Sequence, residues 1–271
     1  MLLRTHATYR EKKYVCGSFL DVYIYPVYPQ TVRPSGRRRR KRGPSRDVQQ
    51  KLNQRHSTEK LARLAHANFT EKDLALELDY AINPPDAEAA RKDLQKFLRK
   101  VRYRYKKLGI ELKYLWVMEV TKKGRYHFHL ILSGGMDRDD LEQLWGHGWA
   151  NTKRLQFDEH GLTALSHYRA KSHRREDETR LTYRAYNGSK NLIDPEPKIN
   201  DSKIRSRKRA AELADMDWNT WHEIYPEYEV ADLHPFHSDE YGSVYIFARL
   251  RRTDGERIPP KRRKGKSKWQ S

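Results

Sequence analysis

The chain has 271 residues, of which 34% are charged and only 37% are hydrophobic, so part of it lies outside any hydrophobic core. Its 56 Lys and Arg exceed its 36 Asp and Glu by 20, a balance that points to a polyanionic partner. The single cysteine excludes an internal disulfide framework and fits a reducing cytoplasm, and the sequence offers no membrane span or secretory leader.

Two segments hold most of the positive charge. Residues 33–46 contain eight Lys or Arg and no acid, and residues 249–271 contain ten Lys or Arg against two acids. Such runs are often solvated tails, and the same runs can bind the phosphates of DNA. We therefore predict basic extensions at both ends that contact DNA. The residues expected to make these contacts are Arg37, Arg38, Arg39, Arg40, Lys41, Arg42, Arg262 and Arg263.

The first predicted elements are a strand over residues 15–28 and a helix over residues 46–67. Because the basic segment lies between them, residues 1–65 are predicted to form an N-terminal arm rather than part of a core. Residues 74–82 alternate strictly between apolar and other side chains, which predicts a strand with one buried face.

A long amphipathic helix is predicted next. Asp86 is a suitable N-cap, and the apolar residues that follow recur at helical spacing as far as Leu108. The predicted buried stripe comprises Ala90, Leu94, Phe97, Leu98, Val101, Tyr105 and Leu108.

A hairpin of two strands, 114–121 and 126–132, follows this helix. The remaining predicted elements are a short helix over 137–145, a strand near 149–157, a helix over 162–172, a strand over 181–187, a helix over 200–225 and a strand over 241–250. The order β-α-β-β-α-β predicts an α+β core, an antiparallel sheet with helices packed on one face, in a ferredoxin-like arrangement. We assign residues 66–195 to this core and residues 196–271 to a C-terminal region with a helix, a final strand and a basic tail.

The second strand of the hairpin carries two histidines among apolar residues. Because side chains alternate along a strand, His127 and His129 share one face, while Phe128 and Leu130 point to the core. Two neutral imidazoles at this spacing can share one divalent metal ion. A His-x-His pair also arises without a metal, so the spacing alone leaves a structural role open.

Glu119 interrupts the apolar first strand of the hairpin, where a carboxylate without a partner is costly to bury. A three-residue loop with Gly124 in the left-handed conformation would place Glu119 opposite His127, whereas a two-residue loop would place it opposite Phe128. We predict the three-residue loop. Two imidazoles and one carboxylate then leave positions for water and substrate on Mg²⁺ or Mn²⁺, and the ligand types also suit zinc.

Tyr168 and Lys171 lie three residues apart in the predicted helix over 162–172, so they share a helix face. A tyrosine can form a covalent phosphodiester intermediate, and a nearby cation helps its hydroxyl to lose the proton. Tyrosines at such spacing are often core residues, so this pair is weak evidence by itself.

In combination and in this order, Glu119, the His127 and His129 pair, and the downstream Tyr168 and Lys171 resemble the HUH endonucleases, specifically rolling-circle replication initiators of phages and bacterial mobile elements. The strand over 74–82 lies where that family has its first motif. Residues 184–192 resemble a downstream Ser-Lys/Arg-Asn-Leu segment of the family, which adds Lys190 as an expected DNA contact. The resemblance extends over about residues 45–195.

This resemblance implies an RRM-like nuclease core and a mechanism. Glu119, His127 and His129 would hold Mg²⁺ or Mn²⁺ at the scissile phosphate. Tyr168 would attack it and leave a 5′-phosphotyrosine link and a free 3′-OH, while Lys171 stabilises charge. The expected partner is single-stranded DNA or an origin hairpin in the cytoplasm of a bacterial host. A host helicase and polymerase are also implied, since the sequence contains no P-loop motif.

Three alternatives stay open. A one-tyrosine transposase and a relaxase are also HUH enzymes, although relaxases place the tyrosine before the histidine pair and such transposases are usually shorter. Tyr183 and Tyr186 are alternative nucleophiles within an enzyme of this class. In a different class, a non-catalytic nucleic-acid-binding protein with a structural metal site would bind DNA without cleaving it.

Overall fold

The computed structural model describes residues 8–27, 47–121, 123–162, 186–238 and 243–261. The chain divides into two compact units. The first unit comprises residues 1–59, 159–161 and 193–271, and the second comprises residues 60–158 and 162–192. Among the helices that are described, none has the length and apolar character needed to cross a membrane.

The described ranges contain twelve strands and five helices. The strands are β1 (Thr8–Cys16), β2 (Phe19–Val27), β3 (Leu74–Asp79), β4 (Tyr114–Val120), β5 (Tyr126–Leu132), β6 (Ala150–Arg154), β7 (Phe157–Asp158), β8 (Gly161–Leu162), β9 (Asn187–Gly188), β10 (Lys198–Asn200), β11 (Tyr228–Ser238) and β12 (Ser243–Arg252). The helices are α1 (Asp47–Asn68), α2 (Ala87–Lys107), α3 (Arg138–Gln143), α4 (Arg207–Ala214) and α5 (Trp218–Ile224).

The second unit is built on a five-stranded antiparallel sheet with the strand order β6-β3-β5-β4-β9. The strands β3 and β4, which α2 connects, are separated by β5, so the unit is a split β-α-β arrangement. The predicted α+β fold with an antiparallel sheet is therefore confirmed. Its predicted strands and helices between residues 74 and 145 are all present, with bounds that differ by a few residues.

One face of this sheet is covered by α2. The carboxylate of Asp86 accepts the backbone N–H of Ala89 at 2.7 Å and begins the helix as predicted. Six of the seven residues of the predicted stripe are buried, and Leu108 is the exception because it lies at the C-cap and is 55% exposed. The stripe packs on alternate residues of β3 and β5, which are Leu74, Leu76, Leu78, Phe128, Leu130 and Leu132.

The opposite face of the sheet is only half covered. Apolar residues from the C-terminal part of α1 pack there against Leu115 of β4 and Ile131 of β5. Leu162 at the end of β8 and Leu192 join the same cluster. The helices thus do not all lie on one side, because α1 contributes a second layer. The other half of this face carries polar side chains and is open in the described part of the chain.

The first unit has its own antiparallel sheet, with the order β10-β1-β2-β12-β11. The hairpin β1-β2 turns at Gly17, which has a φ of 71°, so two strands stand where one was predicted over 15–28. Residues from this hairpin, from α4 and α5, and from β12 share one core. Residues 8–27 of the predicted N-terminal arm are therefore strands of a sheet. Their partner β12 is more than two hundred residues away, and alternation within a strand does not identify its partner.

The predicted helix over 200–225 is two helices. Met216 between them has a φ of 60°, and Asp217 begins α5 by accepting the backbone N–H of Asn219. The predicted final strand over 241–250 is confirmed as β12. The predicted helix over 162–172 starts differently, because Leu162 belongs to β8, and its other residues lie outside the described ranges.

A buried ion pair connects two central strands of the first unit. Asp21 on β2 and Arg249 on β12 are directly opposite each other, and both are fully buried. The guanidinium donates to the two carboxylate oxygens from Nε at 2.8 Å and from Nη2 at 3.2 Å. This two-point geometry satisfies both charges inside the sheet.

Candidate metal centre on the open face of the sheet

The turn between β4 and β5 determines which side chains meet on the open face. The backbone N–H of Thr121 donates to the carbonyl of Arg125 at 2.8 Å, which leaves three residues in the loop. Gly124 has a φ of 75°, a conformation that glycine adopts without strain. This loop sets Glu119 directly opposite His127, so the predicted register is confirmed.

Glu119, His127 and His129 form a compact triad. The Oε2 atom of Glu119 lies 3.1 Å from Nε2 of His127 and 3.4 Å from Nε2 of His129. The two imidazole rings have centroids 5.0 Å apart. The three side chains are 15%, 18% and 12% exposed, so they are largely withdrawn from water but can still be reached from it.

The donor set of this triad fits a divalent metal ion. One ligand atom from each residue lies within 4.8 Å of the others. Neighbouring ligands of an octahedral Mg²⁺ site are about 3 Å apart, since each is about 2.1 Å from the ion and they are at right angles. Tetrahedral zinc gives a similar separation of about 3.4 Å. The spacing therefore supports a metal site without selecting the metal.

Two further carboxylates on β3 flank the histidines, and the sequence analysis missed them. Asp79 lies opposite His127 in the sheet, and Glu77 lies opposite His129. Their oxygens are 3.6 Å and 3.7 Å from the Nδ1 atoms of these two histidines. A carboxylate on Nδ1 favours the tautomer that leaves Nε2 free to bind a metal. The alternation in β3 already placed both acids on one face, but it did not reveal that β5 is the neighbour.

The Asp79→Asn variant is expected to bind Mn²⁺ about tenfold more weakly than the wild type, because the amide attracts the Nδ1 proton of His127 less than a carboxylate does. Titration calorimetry with Mn²⁺ on the intact chain measures the change. Glu88→Gln is the control, since Glu88 is an exposed carboxylate of α2 on the other side of the sheet. Equal affinities for wild type and Asp79→Asn would show that Asp79 has no part in orienting the histidine.

The remaining predicted site residues are distributed as follows. Lys190 is exposed in the turn after β9, and Tyr186 packs with the apolar cluster under α1. The residues Arg37, Arg38, Arg39, Arg40, Lys41, Arg42, Tyr168, Lys171, Tyr183, Arg262 and Arg263 lie outside the described ranges.

Lys190 is not brought to the triad. The flanking residue Ser189 donates its backbone N–H to the carbonyl of Tyr114 at 2.9 Å, which fixes the turn at the start of β4. Glu119 lies near the other end of the same strand, so the two sites are about 17 Å apart at about 3.4 Å per residue. Any contact of Lys190 with DNA would therefore involve a different part of the strand than the triad does.

A buried histidine fixes the start of the segment that contains Tyr168. His66 near the end of α1 is 1% exposed, and its Nε2 atom accepts the backbone N–H of Leu162 at 3.1 Å. Leu162 is the last described residue before that segment. His66 thereby ties this point of the chain to α1 within the second unit.

Two other tyrosines of this unit are unsuited to nucleophilic attack. The hydroxyl of Tyr80 donates to the carbonyl of Ala90, and that of Tyr105 donates to the carbonyl of Ser133. Burial raises the pKa of both hydroxyls above the ordinary value for tyrosine. Both side chains therefore stay protonated and serve the core beneath the sheet.

Comparison with known proteins adds a family to this geometry. Residues 73–173 match the family model of the replication-associated protein ORF2. Searches of curated proteins and of solved structures found no match. The matched segment contains the triad and four of the five strands of its sheet. The chain therefore carries a domain of this replication-associated protein family, and its recognition as a rolling-circle replication initiator is confirmed.

Proposed function

We propose that the chain nicks and rejoins single-stranded DNA at a replication origin through a covalent tyrosine intermediate. The observation that carries the proposal is the triad of Glu119, His127 and His129 on the open sheet face of a replication-associated domain. Such a triad leaves coordination positions for a phosphate, which a purely structural metal site does not need.

The proposed nucleophile is the hydroxyl of Tyr168, which the family match includes in its range. Its oxygen attacks the scissile phosphorus, and the bond from phosphorus to the 3′-oxygen breaks. The 5′-phosphate is then joined to the tyrosine, and the released 3′-oxygen takes up a proton to become a 3′-OH. Attack by this 3′-OH on the phosphotyrosine reverses the step and rejoins the strand.

Other residues of the chain support these steps. Lys171 lies three residues after Tyr168, so on a helix its ammonium group can stabilise the tyrosinate and the phosphate charge. Asp79 and Glu77 keep the two imidazoles in the tautomer that exposes Nε2. Mg²⁺ or Mn²⁺ held by the triad would supply positive charge against a phosphate oxygen. Unwinding and extension are left to a helicase and polymerase of the bacterial host.

The test uses the intact wild-type chain and single-stranded oligonucleotides that cover the DNA flanking its gene. With Mn²⁺, we expect a covalent protein–DNA adduct on a denaturing protein gel, and with EDTA we expect none. Peptide mass spectrometry of the adduct identifies the modified tyrosine, which the proposal takes to be Tyr168. A modified Tyr183 or Tyr186 would keep the reaction and reassign the nucleophile.

The opposite result is equally informative. If the chain binds these oligonucleotides with Mn²⁺ but no adduct forms on any of them, the nicking reaction is refuted. The domain would then be a DNA-binding protein in which the triad has a structural role.

A further inference from the structure

An exposed tryptophan extends the row of side chains that contains the triad. The backbone N–H of Asp79 donates to the carbonyl of Trp149 at 2.8 Å, which continues the register between β3 and β6. Trp149 is therefore opposite Asp79, which is opposite His127, which is opposite Glu119. Four neighbouring strands thus contribute one row of side chains across the sheet.

Trp149 lies on the same face as the triad. The next residue, Ala150, packs against the core on the α2 side, and side chains alternate along a strand. The side chain of Trp149 is 72% exposed, unlike that of Trp145 in the same unit, which is 1% exposed. A large aromatic ring at such exposure contributes little to the core, so packing does not explain its place.

The backbone beneath this tryptophan is tightly held. A Cβ atom at Gly148 would lie 2.4 Å from the backbone of Asp79 and of Ala81, so only glycine allows this close approach. The carbonyl of His147 accepts the backbone N–H of Ala81 at 2.9 Å and holds the preceding residue as well. An exposed ring on a fixed backbone is a platform for a flat ligand.

We propose that Trp149 stacks on a base of the single-stranded DNA whose phosphate lies at the triad. This inference rests on the proposed function for the identity of the DNA strand. Two strand spacings separate Trp149 from His127, about 10 Å, which corresponds to about three stacked nucleotides. Trp149 thus binds a base a short distance along the strand from the scissile phosphate.

The neighbouring side chains favour this type of contact. Asn151 and Lys153 follow Trp149 on the same face of β6, and both are exposed. They offer an amide for the edge of a base and a cation for a phosphate. Between Trp149 and the triad lies Asp79, whose negative charge disfavours a phosphate there and leaves that position to an uncharged base.

The test measures binding of a short fluorescein-labelled oligo-dT by the intact chain at fixed salt, in EDTA so that no cleavage occurs. Trp149→Ala is expected to bind about 5- to 100-fold more weakly than the wild type, and Trp149→Phe should retain most of the affinity. Trp218→Ala is the control, because Trp218 on α5 is also an exposed tryptophan, at 56%, and belongs to the first unit. Its affinity should equal that of the wild type.

A second readout reports stacking directly. Unlabelled oligo-dT is expected to quench part of the tryptophan fluorescence of the wild type and of Trp218→Ala, and this part should be missing in Trp149→Ala. Equal affinity and equal quenching in Trp149→Ala and wild type would overturn the proposal even if the wild type forms the covalent adduct. Weaker binding by Trp149→Ala would support the stacking site even if no adduct forms and the nicking reaction fails.

Discussion

The Tyr168→Phe variant is expected to lose the covalent DNA adduct, with a rate at least about a thousandfold below that of the wild type. Phenylalanine keeps the aromatic ring but has no oxygen to attack the phosphate. Mn²⁺ binding should stay the same, since the three ligands are on β4 and β5. The adduct is measured on denaturing gels over time, and Mn²⁺ affinity is measured by titration calorimetry.

Two comparisons separate the nucleophile from the metal ligands. His129→Ala should lose both the adduct and Mn²⁺ binding, whereas Tyr168→Phe should lose the adduct alone. Tyr183→Phe and His237→Ala are the matched controls, the latter because His237 is an exposed histidine of the first unit. If Tyr168→Phe forms the adduct at the rate of the wild type, Tyr168 is not the nucleophile.

Asp21→Ala is expected to lower the free energy of unfolding by about 3–5 kcal/mol, because it leaves the guanidinium of Arg249 buried in the sheet without its carboxylate. Urea unfolding followed by circular dichroism measures the loss. Hydrogen exchange of peptides that cover β2 and β12 is expected to locate it in the sheet of the first unit. The double variant Asp21→Leu with Arg249→Met should recover much of the stability, since no buried charge is left.

An exposed ion pair of the same type is the control for this prediction. Arg10 donates to both carboxylate oxygens of Asp201, at 2.6 Å and 2.7 Å, in the same unit. The Arg10 guanidinium holds the pKa of Asp201 below its ordinary value, but both side chains are in water. Asp201→Ala should leave the urea midpoint nearly unchanged. A similar loss in both variants would mean that burial does not determine the cost.

The second unit could be predicted from the sequence to a large extent because its signals are local. Asp86 is a side-chain cap for the helix that follows it, and the stripe of α2 has a period that a surface helix imposes. The register of Glu119 and His127 depended only on the length of the loop at Gly124, which is a property of neighbouring residues.

The features that the sequence did not reveal depend on long-range pairing. The sheet of the first unit pairs β2 with β12, and each strand alone has the pattern of an ordinary strand. The carboxylates of Glu77 and Asp79 belong to the site only because β5 lies between β3 and β4. Trp149 likewise joins the row of the triad through the neighbour of its strand, although nothing in its local sequence indicates this.

The assembly of the first unit from distant parts of the chain imposes an order on its biosynthesis. The hairpin β1-β2 is complete at residue 27, but β12 begins at residue 243. At 5–20 residues per second, a ribosome needs about 10 to 40 s to make the intervening segment. During this time, the strand edge that β12 later pairs with stays open, which is a hazard for aggregation. A translation product that stops before β12 would contain the complete metal triad and yet present that open edge, so damaged messages would yield copies that chaperones and proteases can distinguish from finished ones.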